Sequence, residues 1–287
     1  MTDLNINELL SSFGHNNKTT HKSKAETKPP FTIDTIFKSP KQILENIEGI
    51  VFDMSNEDYH SEKQHDSSSR IKAVNITDWH FVNYDKIKPK SSAFDWGNLV
   101  HDDIETRTKT GNWKQWKAGT FKTITKIDND KLEVHASKME LIEQHRKDFE
   151  RHPILSQLIS KGCAEASCFD SKNMKKIRLD NCVLEPIENV LHVFDWKSTS
   201  QFEWFKNQIK KLQYNLSAGM YSTVLQDITG LKVYFHFVKV CTKTGLTQIV
   251  PVKYDTLLSY QELYKSTLEK VNGVDFSNPK GYGFEVI

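Results

Sequence analysis

The sequence lacks long apolar runs. Its longest, 190–194 and 233–240, sit among His and Lys residues and fall far short of the roughly 20 apolar residues that a membrane helix needs. No basic segment followed by an apolar one opens the chain, so no secretory leader is expected. The expected location is cytoplasmic, in the host cytoplasm if the chain is phage-encoded, with no membrane partner. Cysteine is scarce as well: Cys163, Cys168, Cys182 and Cys241 form no CxxC pair and no zinc-ribbon spacing. They are expected as buried, reduced thiols. Charge of either sign is not in excess, because 39 basic and 37 acidic residues leave a formal net charge of +2. That balance neither requires nor excludes nucleic acid, since a basic groove can lie on an otherwise neutral surface. No internal repeat is visible.

What the chain does have is apolar material for a sizeable core. Hydrophobic residues make up 37% and aromatics 11% of its 287 residues, which excludes a wholly disordered protein. Residues 1–30 carry little apolar content beyond Leu9, Leu10 and Phe13 and end in Pro29 and Pro30. The expected division is a flexible N-terminal arm over 1–45 and one folded domain over 46–287. Ser39 and Pro40 predict a helix start, with Ile43, Leu44 and Ile47 on one face. Residues 54–60 read as a polar turn, and the serines at 67–69 as the cap of a helix reaching Val74. Helices are also expected over 94–108 and 130–149.

From Glu165 the pattern changes to period two. Strands are expected over 165–169, 176–185 and 190–197, then a long amphipathic helix over 201–226. Strands over 231–240 and 245–252 and a helix over 256–270 follow. The resulting fold class is α/β, a central mixed sheet flanked by helices.

The chemistry-bearing pattern is Asp180, then Asp195 and Lys197 at the end of an apolar strand. Alternation puts 195 and 197 on one face, and an antiparallel preceding strand would bring Asp180 to the same spot. Two carboxylates beside an ammonium make a site for a hard divalent cation acting on a phosphate. Taken alone, an Asp-x-Lys pair is ordinarily an exposed ion pair.

The pattern resembles the PD-(D/E)xK nuclease superfamily, and its neighbours resemble one branch, the exodeoxyribonuclease VIII (RecE-like) and lambda-type phage recombination exonucleases. The resemblance spans roughly residues 50–240. Residues 54–60 followed by Ser67–Arg70 are similar to the opening of that nuclease domain. Gly97 and His101 match its Gly-x-x-x-His element, Glu165 its glutamate-bearing strand, and 176–180 its basic strand ending in a metal-binding Asp. Tyr214 to Tyr221 match Tyr-x-x-Gln-x-x-x-Tyr, except that Ser217 stands at the Gln position; Gln213, one turn earlier on the same face, is expected to substitute.

The resemblance implies a restriction-endonuclease-like core and a Mg2+-dependent exonuclease, Mn2+ being the alternative ion. It implies metal ligands His101, Asp180, Asp195 and the backbone carbonyl of Trp196. Lys197, Asp195, Asp180 and Glu165 would carry the catalysis. Ser68, Ser69, Arg70, Gln213 and Tyr221 are the expected substrate-binding residues; the serines and Arg70, at a helix N-terminus, either grip a terminal 5′-phosphate or simply cap the helix. It further implies 5′→3′ digestion of duplex DNA, a ring-shaped homo-oligomer and a single-strand annealing partner in recombination. Two rival readings stay open: an endonuclease or single-strand-specific nuclease of the same fold, and a non-catalytic DNA-binding member.

Overall fold

The computed structural model describes residues 31–87, 93–119, 125–128 and 131–282. The sequence-predicted arm over 1–30 lies outside the described residues. In chain order the elements begin with α1 (Lys41–Leu44), β1 (Ile50–Val51), α2 (Asn56–Ser61), β2 (Asp66–Ser67), α3 (Ser68–Ala73), α4 (Asp78–Val82), α5 (Tyr84–Ile87) and α6 (Ala93–Thr110). Next come β3 (Lys117–Gly119), β4 (Thr125–Asp128), β5 (Lys131–His135), α7 (Ala136–Arg151), α8 (Pro153–Lys161), β6 (Ala166–Asp170), β7 (Lys175–Leu179), β8 (Asn181–Glu185) and β9 (Val190–Thr199). The chain closes with α9 (Phe205–Lys211), α10 (Tyr214–Thr229), β10 (Lys232–Cys241), β11 (Thr247–Pro251) and α11 (Tyr254–Asn272).

The α/β expectation holds, with one difference of layout. Instead of one central sheet there are two mixed four-stranded sheets, β1-β6-β7-β2 and β11-β10-β9-β8, and a small sheet β3-β5-β4. The two larger sheets share one core and adjoin along the chain at Asp180. The strand expected over 176–185 is broken at Asp180, so β7 belongs to one sheet and β8 to the other.

The sheet of β8–β11 is covered on both faces, which explains its near-continuous apolar sequence. Leu191, Val193, Phe235 and Phe237 pack toward α10 and α11, whereas Phe194, Trp196, Val238 and Val240 pack toward α6, α7 and α8. Strands β9 and β10 run parallel, with Asp195 beside Phe237. Their crossover is α9 and α10, which lays α10 over the face that carries Asp195 and Lys197. All four cysteines are free and buried, as expected.

Other expectations are corrected. The helix expected over 201–226 is two helices, because Gln213 adopts a left-handed backbone at φ 52° between α9 and α10. The helix over 130–149 begins only at Ala136; the residues before it form β5, laddered to β3 and β4. The polar turn over 54–60 is α2, whose first turn is capped by the Ser55 hydroxyl accepting from the Asp58 N–H at 2.9 Å. Residues 31–45, grouped with the arm from sequence, pack on the body. Phe37 and Leu44 are fully buried, and Lys38 exchanges backbone hydrogen bonds of 2.8 and 2.9 Å with Leu184. Short polar segments conceal such anchoring, since one aromatic every few residues suffices for it.

Candidate active site

Strand register explains why distant residues meet. The β6–β7 ladder ends at Ala166↔Leu179, and the next step faces Glu165 to Asp180. The β8–β9 ladder begins at Asn181↔Phe194, and the next step outward faces Asp180 to Asp195. Asp180 is therefore the shared corner of both sheets, with one acidic residue on either side. Its Oδ2 accepts the Trp196 backbone N–H at 2.6 Å, which fixes the corner to β9. Glu165 itself sits in left-handed backbone at φ 58°, a conformation that costs energy for a non-glycine residue and here turns the chain into β6.

The third contributor arrives from α6. Leu99, Val100 and Ile104 bury one side of that helix, and His101 at its edge reaches the corner, with Nδ1 3.4 Å from Asp180 Oδ1. Ligand atoms of His101, Glu165 and Asp180 all lie within 4.8 Å of one another. One imidazole nitrogen and two carboxylates form a donor set that suits Mg2+ or Mn2+. Asp195 stands outside that trio and pairs instead with Lys197, Oδ2 to Nζ at 2.6 Å. The Trp196 carbonyl, expected as a metal ligand, accepts from the same ammonium at 3.1 Å.

The charges in the cluster shape one another. Desolvation lowers the His101 imidazole, but the adjacent Asp180 carboxylate outweighs it and holds His101 at about 9. Burial and then the Asp180 charge push Glu165 up to about 7, against the pull of His101 and Arg178. Asp180 is held below its ordinary value: burial opposes ionisation, while His101, Lys197 and the Trp196 N–H favour it. Lys197 is raised; burial disfavours its charge, and Asp195 and Asp180 more than compensate.

Beside the trio opens a cavity of about 420 Å3, into which Ser68, Ser69, Arg70, Tyr221, His101, Glu165 and Asp180 all face. Thus the expected substrate residues of α3 and Tyr221 are brought to His101, Glu165 and Asp180, whereas Asp195 and Trp196 do not line this cavity. Arg70 is held by Asp66 at 3.1 Å and stacks over Phe81 at 5.0 Å. The helix cap proper is Ser67, whose hydroxyl accepts from the Arg70 N–H at 3.4 Å. Ser217 contacts the Ser68 hydroxyl at 3.4 Å. Gln213 does not join these residues: it does not line the cavity, and its side-chain oxygen accepts from Asn75 Nδ2 at 2.8 Å.

The basic strand expected over 176–180 supplies one wall of this cavity. Lys176 and Arg178 alternate with Asp180 along one face of β7, so period-two spacing carried the signal. Arg178 Nε lies 2.6 Å from Glu165 Oε2, and Lys176 Nζ lies 3.2 Å from Glu62 Oε2. Tyr59 from α2 lies between them, with both cations over its ring at 4.8 and 5.5 Å. Lys72, not singled out from the sequence, shares the Tyr214 ring with Lys197.

A helix, two acidic strand ends and an Asp-x-Lys strand around one corner define the restriction-endonuclease-like arrangement of the PD-(D/E)xK superfamily. Residues 67–275 match the model of the PDDEXK-like domain of unknown function, DUF3799, and the chain belongs to that family. No curated protein matches the sequence. Among solved structures the chain is similar to a candidate exonuclease from Eubacterium rectale, with a TM-score of 0.54 and 16% identity over 80% of this chain and 90% of that one. At that identity the likeness speaks for the fold. Among the described residues no helix is long and apolar enough to cross a membrane.

Proposed function

We propose that the chain is a Mg2+-dependent deoxyribonuclease of the RecE-like kind that digests linear duplex DNA from its 5′ ends, with Mn2+ able to replace Mg2+. The observation that carries this reading is the convergence of His101, Glu165 and Asp180 within 4.8 Å, one strand step from an Asp195–Lys197 pair at 2.6 Å. His101, Glu165 and Asp180 would hold the cation, with Asp195 next to them. Such an ion, when bound, polarises a phosphate oxygen and makes a water more acidic.

The protein's own groups do the rest. Lys197 keeps its proton on Nζ at neutral pH, because its raised pKa makes it a cation rather than a base. It can therefore orient the attacking water and counter the charge that develops on the phosphate. Arg178 and Lys176 offset the negative corner from the β7 side. Support for end-directed cutting comes from the cavity. Ser68, Ser69 and Arg70 line it together with the trio, and its 420 Å3 would take a terminal nucleotide and its phosphate.

The test is a time course with full-length protein, Mg2+ and two substrates, end-labelled linear duplex and closed circular duplex. Linear DNA is expected to be shortened and circles to survive. Asp195→Ala is expected to stop digestion while DNA binding persists. Cutting of closed circles would move the assignment to an endonuclease, and no cutting under any divalent ion would end the nuclease reading.

A further inference from the structure

Helix α3 meets α10 along a seam that runs past the site. Ser68 and Lys72 are four residues apart on α3 and share a face; Tyr214, Ser217 and Tyr221 share a face of α10. The pairing is antiparallel: Ser68 meets Ser217, while Lys72 reaches Tyr214, with Nζ 5.6 Å from its ring centre. Lys197 approaches the same ring from β9, with Nζ 5.3 Å from the centre. Two ammonium groups from different elements thus converge on one aromatic ring beside Asp195.

Their pairing is unequal. Lys197 has Asp195 at 2.6 Å, whereas among the described residues no carboxylate pairs with Lys72. A ring face offsets only a small part of what a desolvated cation loses. Burial, and then repulsion by Lys197, pull the Lys72 amine down to about 8, with Asp195 opposing. Lys72 also lies outside the set of residues lining the Arg70 cavity. With Lys197 it makes a second cationic position, outside that cavity. An anion arriving there would relieve the repulsion between the two amines.

On the nuclease reading, we propose that Lys72 is a substrate-binding residue whose ammonium contacts a backbone phosphate of the bound DNA strand on the Lys197 side of the site. The contact is with phosphate rather than base, so it carries affinity and no sequence preference. Met at this position would keep the stem volume and the contact with Tyr214 while removing the charge.

The experiment compares wild type, Lys72→Met and Lys72→Arg. Binding to a fluorescent linear duplex is titrated in Ca2+ across a salt series, and kcat and KM are measured in Mg2+. Loss of one charge-assisted phosphate contact is expected to weaken binding about tenfold at low salt and to reduce the slope of log affinity against log salt by about one. KM is expected to rise with kcat little changed, and Lys72→Arg to recover most of the affinity. The thermal midpoint of Lys72→Met is expected to stay level or rise, since a half-buried amine with no carboxylate partner among the described residues is removed. Wild-type affinity and salt slope in Lys72→Met would overturn the proposal, as would a lowered midpoint with unchanged binding, which marks a structural lysine. A wild-type protein that neither binds nor cuts DNA overturns the underlying nuclease reading, an outcome distinct from an active wild type with an indifferent Lys72→Met.

Discussion

Gly219→Ala tests how tightly the scaffold sets the site. Helix α10 brings Tyr214, Ser217 and Tyr221 to the corner, and its other side lies against α11. At Gly219 a Cβ would stand 2.0 Å from the Tyr260 carbonyl oxygen and 2.5 Å from its carbon. Both are backbone atoms of a helix, so no side chain can swing aside. To move that contact from 2.0 Å to the 3.4 Å of ordinary van der Waals contact, the helices must separate by about 1.4 Å. Overpacking of this kind costs about 3 kcal/mol. For a domain of this size the thermal midpoint should fall by roughly 6–12 °C. Activity should fall further than stability alone dictates, because a displacement near 1 Å can cost about a hundredfold in rate. The assay is thermal unfolding beside digestion of linear duplex DNA at a temperature where both proteins are folded. Gly281→Ala is the control, since nothing lies within 4 Å of the added carbon. A Gly219→Ala protein that matched wild type in midpoint and rate would refute the argument that α10 is pinned by this contact.

Two further outcomes are expected. Asp103, fully buried, accepts from Arg146 Nε at 2.9 Å and from Trp116 Nε1 at 3.0 Å, with His145 Nε2 3.3 Å away. Burial opposes its ionisation, but hydrogen bonds and charge from Arg146 and His145 hold its carboxyl below the ordinary carboxylate value. The stabilisation is therefore present above the unfolded value and is lost as pH falls through the folded one. Asp103→Asn should cost about 3 kcal/mol near neutrality and should flatten the decline of the thermal midpoint on acidification below that value. An unchanged midpoint at neutral pH would count against the network. Arg70→Ala should raise KM and erase any preference for 5′-phosphorylated over 5′-hydroxyl ends; a preference that survives would remove Arg70 from terminal-phosphate recognition.

Local pattern carried much of this architecture. The apolar strand leading into Asp195 and the parity of 195 and 197 were readable because alternation is a property of consecutive residues. So were Ser67–Val74, 94–108 and 256–270 as helices. The breaks were not readable. Asp180 interrupts a run whose alternation continues on both sides, and only pairing with two different partner strands reveals the corner. Gln213 interrupts a run whose apolar spacing also continues, and nothing in that spacing signals its left-handed backbone. The meeting of His101, Glu165 and Asp180 is a tertiary fact, since each is set by a different element; here it was anticipated from a family resemblance and not from spacing. Lys72 went unnoticed because a lysine in a short polar helix looks like any solvated one until Tyr214 and Lys197 are seen beside it.

The corner at residue 180 also has a mechanical side. Glu165 is carried by one sheet and Asp195 by the other, and the peptide between β7 and β8 works like the spine of a two-leaf folder. A cation gripped by Glu165 on one leaf and by Asp180 at the spine would stiffen the fold line, so occupancy and resistance to opening would rise together.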